Sequence, residues 1–185
     1  MAGSRGAFLL VIGDREALGW ILREQRTAFP AERQRMAWTL KPGDRLVLYT
    51  TRSCFRNPTR DRGRVVAAPV VSTSVRDLDP PVVFGGKSFT SGCDLVIEQL
   101  APWDEGPELG LLVPKLHTFP GSWAMHLRGR ALVRLDDHDY RVLERELSRV
   151  VVPREDALRA YLDHALPSNY RSRLGRRGTE TGDGG

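Results

Sequence analysis

Between Arg52 and Arg64 the chain sets Arg52, Arg56, Arg60, Arg62 and Arg64 around Phe55 and Asn57. Guanidinium planes neutralise phosphates and stack on rings, an aromatic ring stacks on bases, and an amide can read a base edge. A loop of this make-up suits a polyanion with accessible bases. An ordinary solvated loop with Phe55 tucked onto the core has the same composition, so both readings stay open.

The remaining clusters are weaker in chemistry. Asp136-Asp137-His138-Asp139 is the most metal-like, yet adjacent residues at a helix start fan out around the axis, whereas hard-metal and zinc sites draw converging ligands from several segments. Acidic residues at that position also cap the helix and meet its dipole, which is the preferred reading. His117, His126, His138 and His164 form no HxH or HExxH pattern. Ser53-Cys54 offers a nucleophile, but nothing marks a base or an oxyanion turn, and a buried thiol is the simpler reading. Gly85-Gly86-Lys87-Ser88 lacks the first glycine of a P-loop and reads as a hairpin turn. Lys87 there either contacts a phosphate or is a solvated turn lysine.

The elements that must position these residues follow from periodicity. Phe8 to Ile12 is an apolar run read as a buried first strand, and Asp14 is placed to cap a helix reaching about Arg26. Ala17, Leu18, Ile21 and Leu22 form its apolar face. Thr27 to Gln34 reads as a connection, and Met36, Trp38 and Leu40 alternate as a short strand with Trp38 inward. After the Pro42-Gly43-Asp44 turn, Leu46, Leu48 and Thr50 face one way and Val47 and Tyr49 the other, so both faces of that strand are occupied. Beyond the arginine loop, Val65 to Ser74 reads as a long strand with an edge or bulge at Pro69, and Asp77 to Pro81 breaks it. A hairpin at Gly85-Gly86, a strand from Cys93 to Leu100, an acidic loop over 101–107, a strand over Leu127 to Leu135 and helices from Asp136 and over Glu155 to Leu166 complete the chain.

With 185 residues and 41% hydrophobic content, one domain with a tail is expected, and residues 168–185 carry too little apolar surface to order. The net charge of +5 rests almost wholly on arginine, since Lys41, Lys87 and Lys115 are the only lysines. That favours a polyanionic partner, although a compositional habit of the genome gives the same bias. Two cysteines, Cys54 and Cys93, in no metal-binding or disulfide pattern suggest a reduced, cytoplasmic protein. The short N-terminal apolar run fits neither a signal sequence nor a membrane span.

The order of these pieces, AFLLVIGDREALGWILRE, MAWTL, GDRLVLYTT, RGRVVAAPVVSTS, FGGKSF and LRGRALVRLDDHDYRVLERELSRV, resembles the EVE domain of the PUA-like superfamily, which includes the YTH and ASCH domains. The resemblance spans about Ala7 to Val150. It implies an α+β fold, a curved mixed β-sheet or barrel with flanking helices, over residues 1–152, followed by a C-terminal helix over 153–167. It further implies a pocket for a modified or flipped nucleobase, with residues carried over from the ends of the first, tryptophan and GD strands: Ile12, Gly13, Trp38, Tyr49, Thr50, Thr51 and Ser53, with Arg52 beside them. Trp38 serves equally well as a core residue. The chain departs from the family pattern in having Phe8 where a tryptophan or tyrosine is usual, and in its longer, more basic loop from Cys54 to Arg62.

The expectation is a non-enzymatic nucleic-acid-binding domain, for DNA or RNA, with no cofactor and no metal. Arg52, Phe55, Arg56, Asn57, Arg60, Arg62 and Lys87 are the expected nucleic-acid contacts, and Gly13, Trp38, Tyr49, Thr50, Thr51 and Ser53 the expected base pocket. Two rivals stay open: a small metal-dependent hydrolase or nuclease using Asp136, Asp137, His138 or Cys54, and a small-molecule or protein-interaction module.

Overall fold

A strand that is apolar at every position needs cover on both faces, and the computed structural model, which describes residues 5–165, provides it. Strand β1 (Ala7–Ile12) runs into helix α1 (Arg15–Glu24), whose N-cap Asp14 accepts from the Glu16 and Ala17 amides through Oδ1 at 2.8 and 3.1 Å. Helix α1 stops at Gln25, in the left-handed region at φ 52°, and β2 (Arg26–Phe29) follows at once. A 3-10 turn (Ala31–Arg33) and the single-turn helix α2 (Gln34–Ala37) lead to β3 (Arg45–Thr50), the arginine loop, β4 (Arg64–Ala67) and β5 (Val70–Val71). Next come the hairpin of β6 (Arg76–Phe84) and β7 (Lys87–Val96), then β8 (Gln99–Leu100), α3 (Leu109–Leu112) and α4 (Trp123–Leu127). The described chain closes with β9 (Leu132–Leu135), α5 (Asp137–Leu147), β10 (Val152–Pro153) and α6 (Arg154–Ala165).

Eight of these strands form one curved mixed sheet in the order β2-β7-β5-β3-β1-β9, with β4 added on β3 and β6 on β7. The central pair, β1 and β3, is parallel from Ala7 opposite Arg45 to Ile12 opposite Thr50. Alternation along this pair feeds two cores. Phe8, Leu10, Ile12, Leu46 and Leu48 meet Leu18, Ile21 and Leu22 of α1 and Tyr161 of α6 on one side. Ala7, Leu9, Val47 and Tyr49 meet Leu109 of α3 and Leu143 and Leu147 of α5 on the other. Each such leucine contributes about 1.5–3 kcal/mol on burial. A one-residue slip between β1 and β3 would exchange the two sets, so the register is tightly specified.

Several local expectations are corrected. Residues 26–29, expected partly as helix end and partly as connection, form β2, antiparallel to β7 with Thr27 opposite Cys93 and Ala28 opposite Gly92. The approach is close enough that Gly92 has no room for a side chain against the Thr27 carbonyl. The expected tryptophan strand over 36–40 is helical and turn-like: Thr39 N donates to Met36 O and Leu40 N to Ala37 O. The buried positions there are Ala37 and Leu40, three apart as on a helix, which leaves Trp38 outward at 47% exposure. The long strand after the arginine loop divides at Ala68-Pro69 into β4 and β5, both paired to β3. Asp77 to Pro81 does not end its strand, because β6 continues through a register irregularity between Asp77 and Val82. The strand expected from Leu127 begins only at Leu132, Leu127 being the last residue of α4. The tail expected over residues 168–185 lies outside the described residues.

Candidate functional site

Where β1 ends and α1 begins, the sheet opens into a cleft of about 300 Å³. Its floor is Leu10, Ile12, Ala17 and Ile21, one side is Thr27, Ala28 and Pro30 on and after β2, and the opposite wall is Phe84 and Phe89 of the hairpin. That volume is at the lower end of small-ligand sites, which run from about 300 to 1,000 Å³. The hairpin takes its shape from Gly85 and Gly86, both left-handed at φ 54° and 77°, as a two-residue turn of this hand requires. Phe84 pairs with Lys87 and Val82 with Phe89, so the two phenylalanines are diagonal neighbours on one face. Their rings lie 5.2 Å apart at 63°, and Trp20 backs Phe84 at 5.5 Å. The result is a half-buried aromatic wall over an apolar floor.

Polar groups border this space, one of them beneath its surface. Thr27 is fully buried, and its hydroxyl has no hydrogen-bond partner. Burying such a group unsatisfied costs about 1–3 kcal/mol. Asp14 spends Oδ1 on the helix cap, and Oδ2 reaches across towards the hairpin tip, 3.3 Å from where a Gly85 Cβ would sit. Glu32, Arg33 and Lys87 complete the lining, and neither cation enters an ion pair among the described residues.

The arginine loop leaves the sheet beside the cleft. Thr51 N donates to Ile12 O at 3.0 Å, and the Thr51 hydroxyl is 3.7 Å from the Cβ position of Gly13. Much of the loop is internally committed. Arg52 donates to Pro58 O at 2.7 Å, Asn57 Oδ1 accepts from Thr59 Oγ1 at 3.0 Å and Arg60 N at 3.3 Å, and Arg60 pairs with Asp61 at 2.6 Å. Arg64 is tied to Asp104 at 2.9 Å. Arg56, at φ 61°, and Arg62 are exposed and unpaired among the described residues. Phe55 packs edge-on to Trp103 at 4.4 Å, and Trp103 stacks on His164 at 3.8 Å. Phe55, Asp61, Arg62, Trp103 and Tyr161 border a second hollow of about 20 Å³, which has room for a water molecule and not for a ring.

The groups of the enzymatic rival are held elsewhere. Burial pushes the Cys54 thiol up, and the Asp14 and Asp61 carboxylates push it further, the reverse of what a nucleophilic thiolate needs. Asp136 caps α5, accepting from Asp139 N at 2.7 Å, and that bond together with His117 holds its carboxyl below the usual range. His117, His138 and Asp139 approach within 4.8 Å, but the two rings lie face to face at 4.1 Å and Asp139 already accepts from the His117 and Thr118 amides. Parallel rings direct their in-plane lone pairs side by side and not at a common ion.

No family model matches the chain, and no curated protein does. Among solved structures, a hypothetical protein from Leishmania major is similar over 80% of this chain and 98% of its own, at 12% identity and a TM-score of 0.51. The chain shares the fold of that protein. Human THYN1 in complex with 5-methylcytosine DNA aligns at 11% identity over 76% of this chain and 97% of its own, with a TM-score of 0.45. The YTH domain of Zygosaccharomyces rouxii MRB1 in complex with N6-methyladenosine RNA aligns at 12% identity over 78% and 88%, with a TM-score of 0.48.

On this frame the site residues expected from the sequence are dispersed. Gly13, Ile12 and Lys87 line the cleft. Tyr49 points into the opposite core with its hydroxyl under Gly63, and burial pushes that hydroxyl up to about 12. Thr50 is buried and donates to Arg64 O at 3.3 Å, Thr51 is half-buried beside Gly13, and Ser53 and Trp38 are exposed. Phe84, Phe89, Asp14 and Arg33 line the cleft without being expected from the sequence as site residues. The two phenylalanines carry a readable signal, since residues at these offsets across a two-residue turn share a face.

Proposed function

We propose that this domain binds nucleic acid without catalysing a reaction, taking an unstacked, modified or unmodified base into the cleft between β1, α1 and the Phe84–Phe89 hairpin. The observation that carries this is the Phe84–Phe89 wall standing over an apolar floor of Leu10, Ile12, Ala17 and Ile21. A planar ring with polar edges fits that lining, stacking on the phenylalanines with its edge towards Asp14 and the rim. Removing a base from its stack costs a few kcal/mol, which stacking and edge hydrogen bonds together offset. Arg33 and Lys87 at the rim, with Arg56 and Arg62 on the adjoining loop, supply the charge that follows a phosphate backbone. The human and yeast structures, each solved with a methylated nucleic acid, supply the partner classes to test.

The test is affinity for single-stranded DNA and RNA, with and without base methylation, measured by fluorescence anisotropy across a salt series. Binding is expected to weaken with salt, with a log–log slope of about 0.7 for each phosphate neutralised on a single strand. Replacing Phe84 and Phe89 by alanine is expected to reduce affinity about tenfold or more with the salt slope unchanged, because a stacked base is worth about 1–3 kcal/mol. Replacing Arg56 and Lys87 by alanine is expected to flatten the slope. A salt-independent affinity, or one indifferent to the two phenylalanines, overturns the reading.

A further inference from the structure

The base-binding reading leaves the chemistry of the accepted ring open, and Asp14 narrows it. As N-cap of the ten-residue helix α1, its carboxylate is fixed by two backbone donors, the Glu16 and Ala17 amides, which both bond Oδ1. The second oxygen is therefore aimed by the cap geometry and not by a free side-chain rotation. It lines the cleft, it reaches to within 3.3 Å of the Gly85 Cβ position on the far side, and no donor within the described chain bonds it. A carboxylate is an acceptor only, so what it faces must donate.

We infer that Asp14 makes the cleft selective for an amino-bearing heteroaromatic ring, so that cytosine is preferred over uracil. This inference rests on the base-binding reading above. Cytosine presents an exocyclic amino donor where uracil presents a carbonyl acceptor. The amino group donates a charge-assisted hydrogen bond to Oδ2, whereas the carbonyl sets two acceptors against each other in a confined space. Phe84 and Phe89 contribute no discrimination, since either ring presents a π-face.

The cap that aims the group also makes the test clean. Asparagine caps helices about as well as aspartate, so Asp14→Asn is expected to leave the melting temperature close to the parent value. Its Oδ1 is still required by the two helix amides, which forces Nδ2 into the place of Oδ2 and turns the acceptor in the cleft into a donor. Oligonucleotides identical but for one cytosine or uracil, flanked by abasic positions, are titrated against the parent and Asp14→Asn proteins. The parent is expected to favour cytosine about tenfold, in line with a hydrogen bond to a charged group, and Asp14→Asn to lose or reverse that ratio. Equal affinities for the two bases in the parent, or an unchanged ratio in Asp14→Asn, overturn the inference while Phe84-dependent binding keeps the base reading intact. Absence of any Phe84-dependent binding overturns both.

Discussion

Replacing Asp139 with alanine is expected to lower the stability of the fold by about 3–5 kcal/mol, since hydrogen bonds to a charged group are worth about 1.5–3 kcal/mol each and their buried partners are left unmet. Asp139 is fully buried in the first turn of α5. Its Oδ1 accepts from His117 N at 2.8 Å and its Oδ2 from Thr118 N at 2.7 Å, so one carboxylate holds the segment after α3 against the helix start. Asp139→Asn separates this role from simple packing. An amide keeps the volume but can accept only one of the two bonds, and its NH2 then faces the other amide. Urea unfolding followed by circular dichroism should place Asp139→Asn well below the parent protein. Near-parent stability for that variant would show that the two bonds contribute little.

The second large effect is expected at Arg154, where alanine should cost about 2–4 kcal/mol through lost charge-assisted bonds and exposed helix-end carbonyls. Arg154 opens α6, is nearly buried, and reaches back to the end of α1. Its Nε and one terminal nitrogen donate to Leu22 O at 2.9 and 2.7 Å, and that same nitrogen donates to Arg23 O at 3.0 Å. A cation at a helix C-terminus is also favoured by the dipole. Lysine cannot reproduce the fork, so Arg154→Lys should recover only part of the loss in the same unfolding measurement. Because α1 and its N-cap carry Ala17, Ile21 and Asp14 into the cleft, loosening its far end is expected to disturb ligand affinity as well.

What could be read from the sequence follows the strength of each periodic signal. The β1 run, the Asp14 cap, the α1 face and the two-sided β3 were legible because long or repeated patterns specify them. Asp136 was legible as a cap for the same reason. Residues 26–29 and 36–40 were not: four or five residues support both periods, and tertiary pairing to β7 decided the first while an Ala37–Leu40 contact spacing decided the second. The site was harder still. The arginine loop drew attention by composition, yet Arg52, Asn57, Arg60 and Phe55 have local partners, which no composition reveals. The cleft instead draws on residues 10–21, 27–33, 84–89 and 131, brought together by a sheet order that local patterns do not encode.

That dispersal has a thermodynamic consequence. A lining drawn from four separated stretches does not exist in the unfolded chain, so any occupant binds the native state alone and shifts the unfolding equilibrium by mass action. At a hundredfold excess over its dissociation constant the shift amounts to about 2.7 kcal/mol, whatever the occupant's identity. The melting curve of the intact protein is thus a reporter for the cleft, and nucleosides or short oligonucleotides can be ranked by the temperature to which each one defers unfolding.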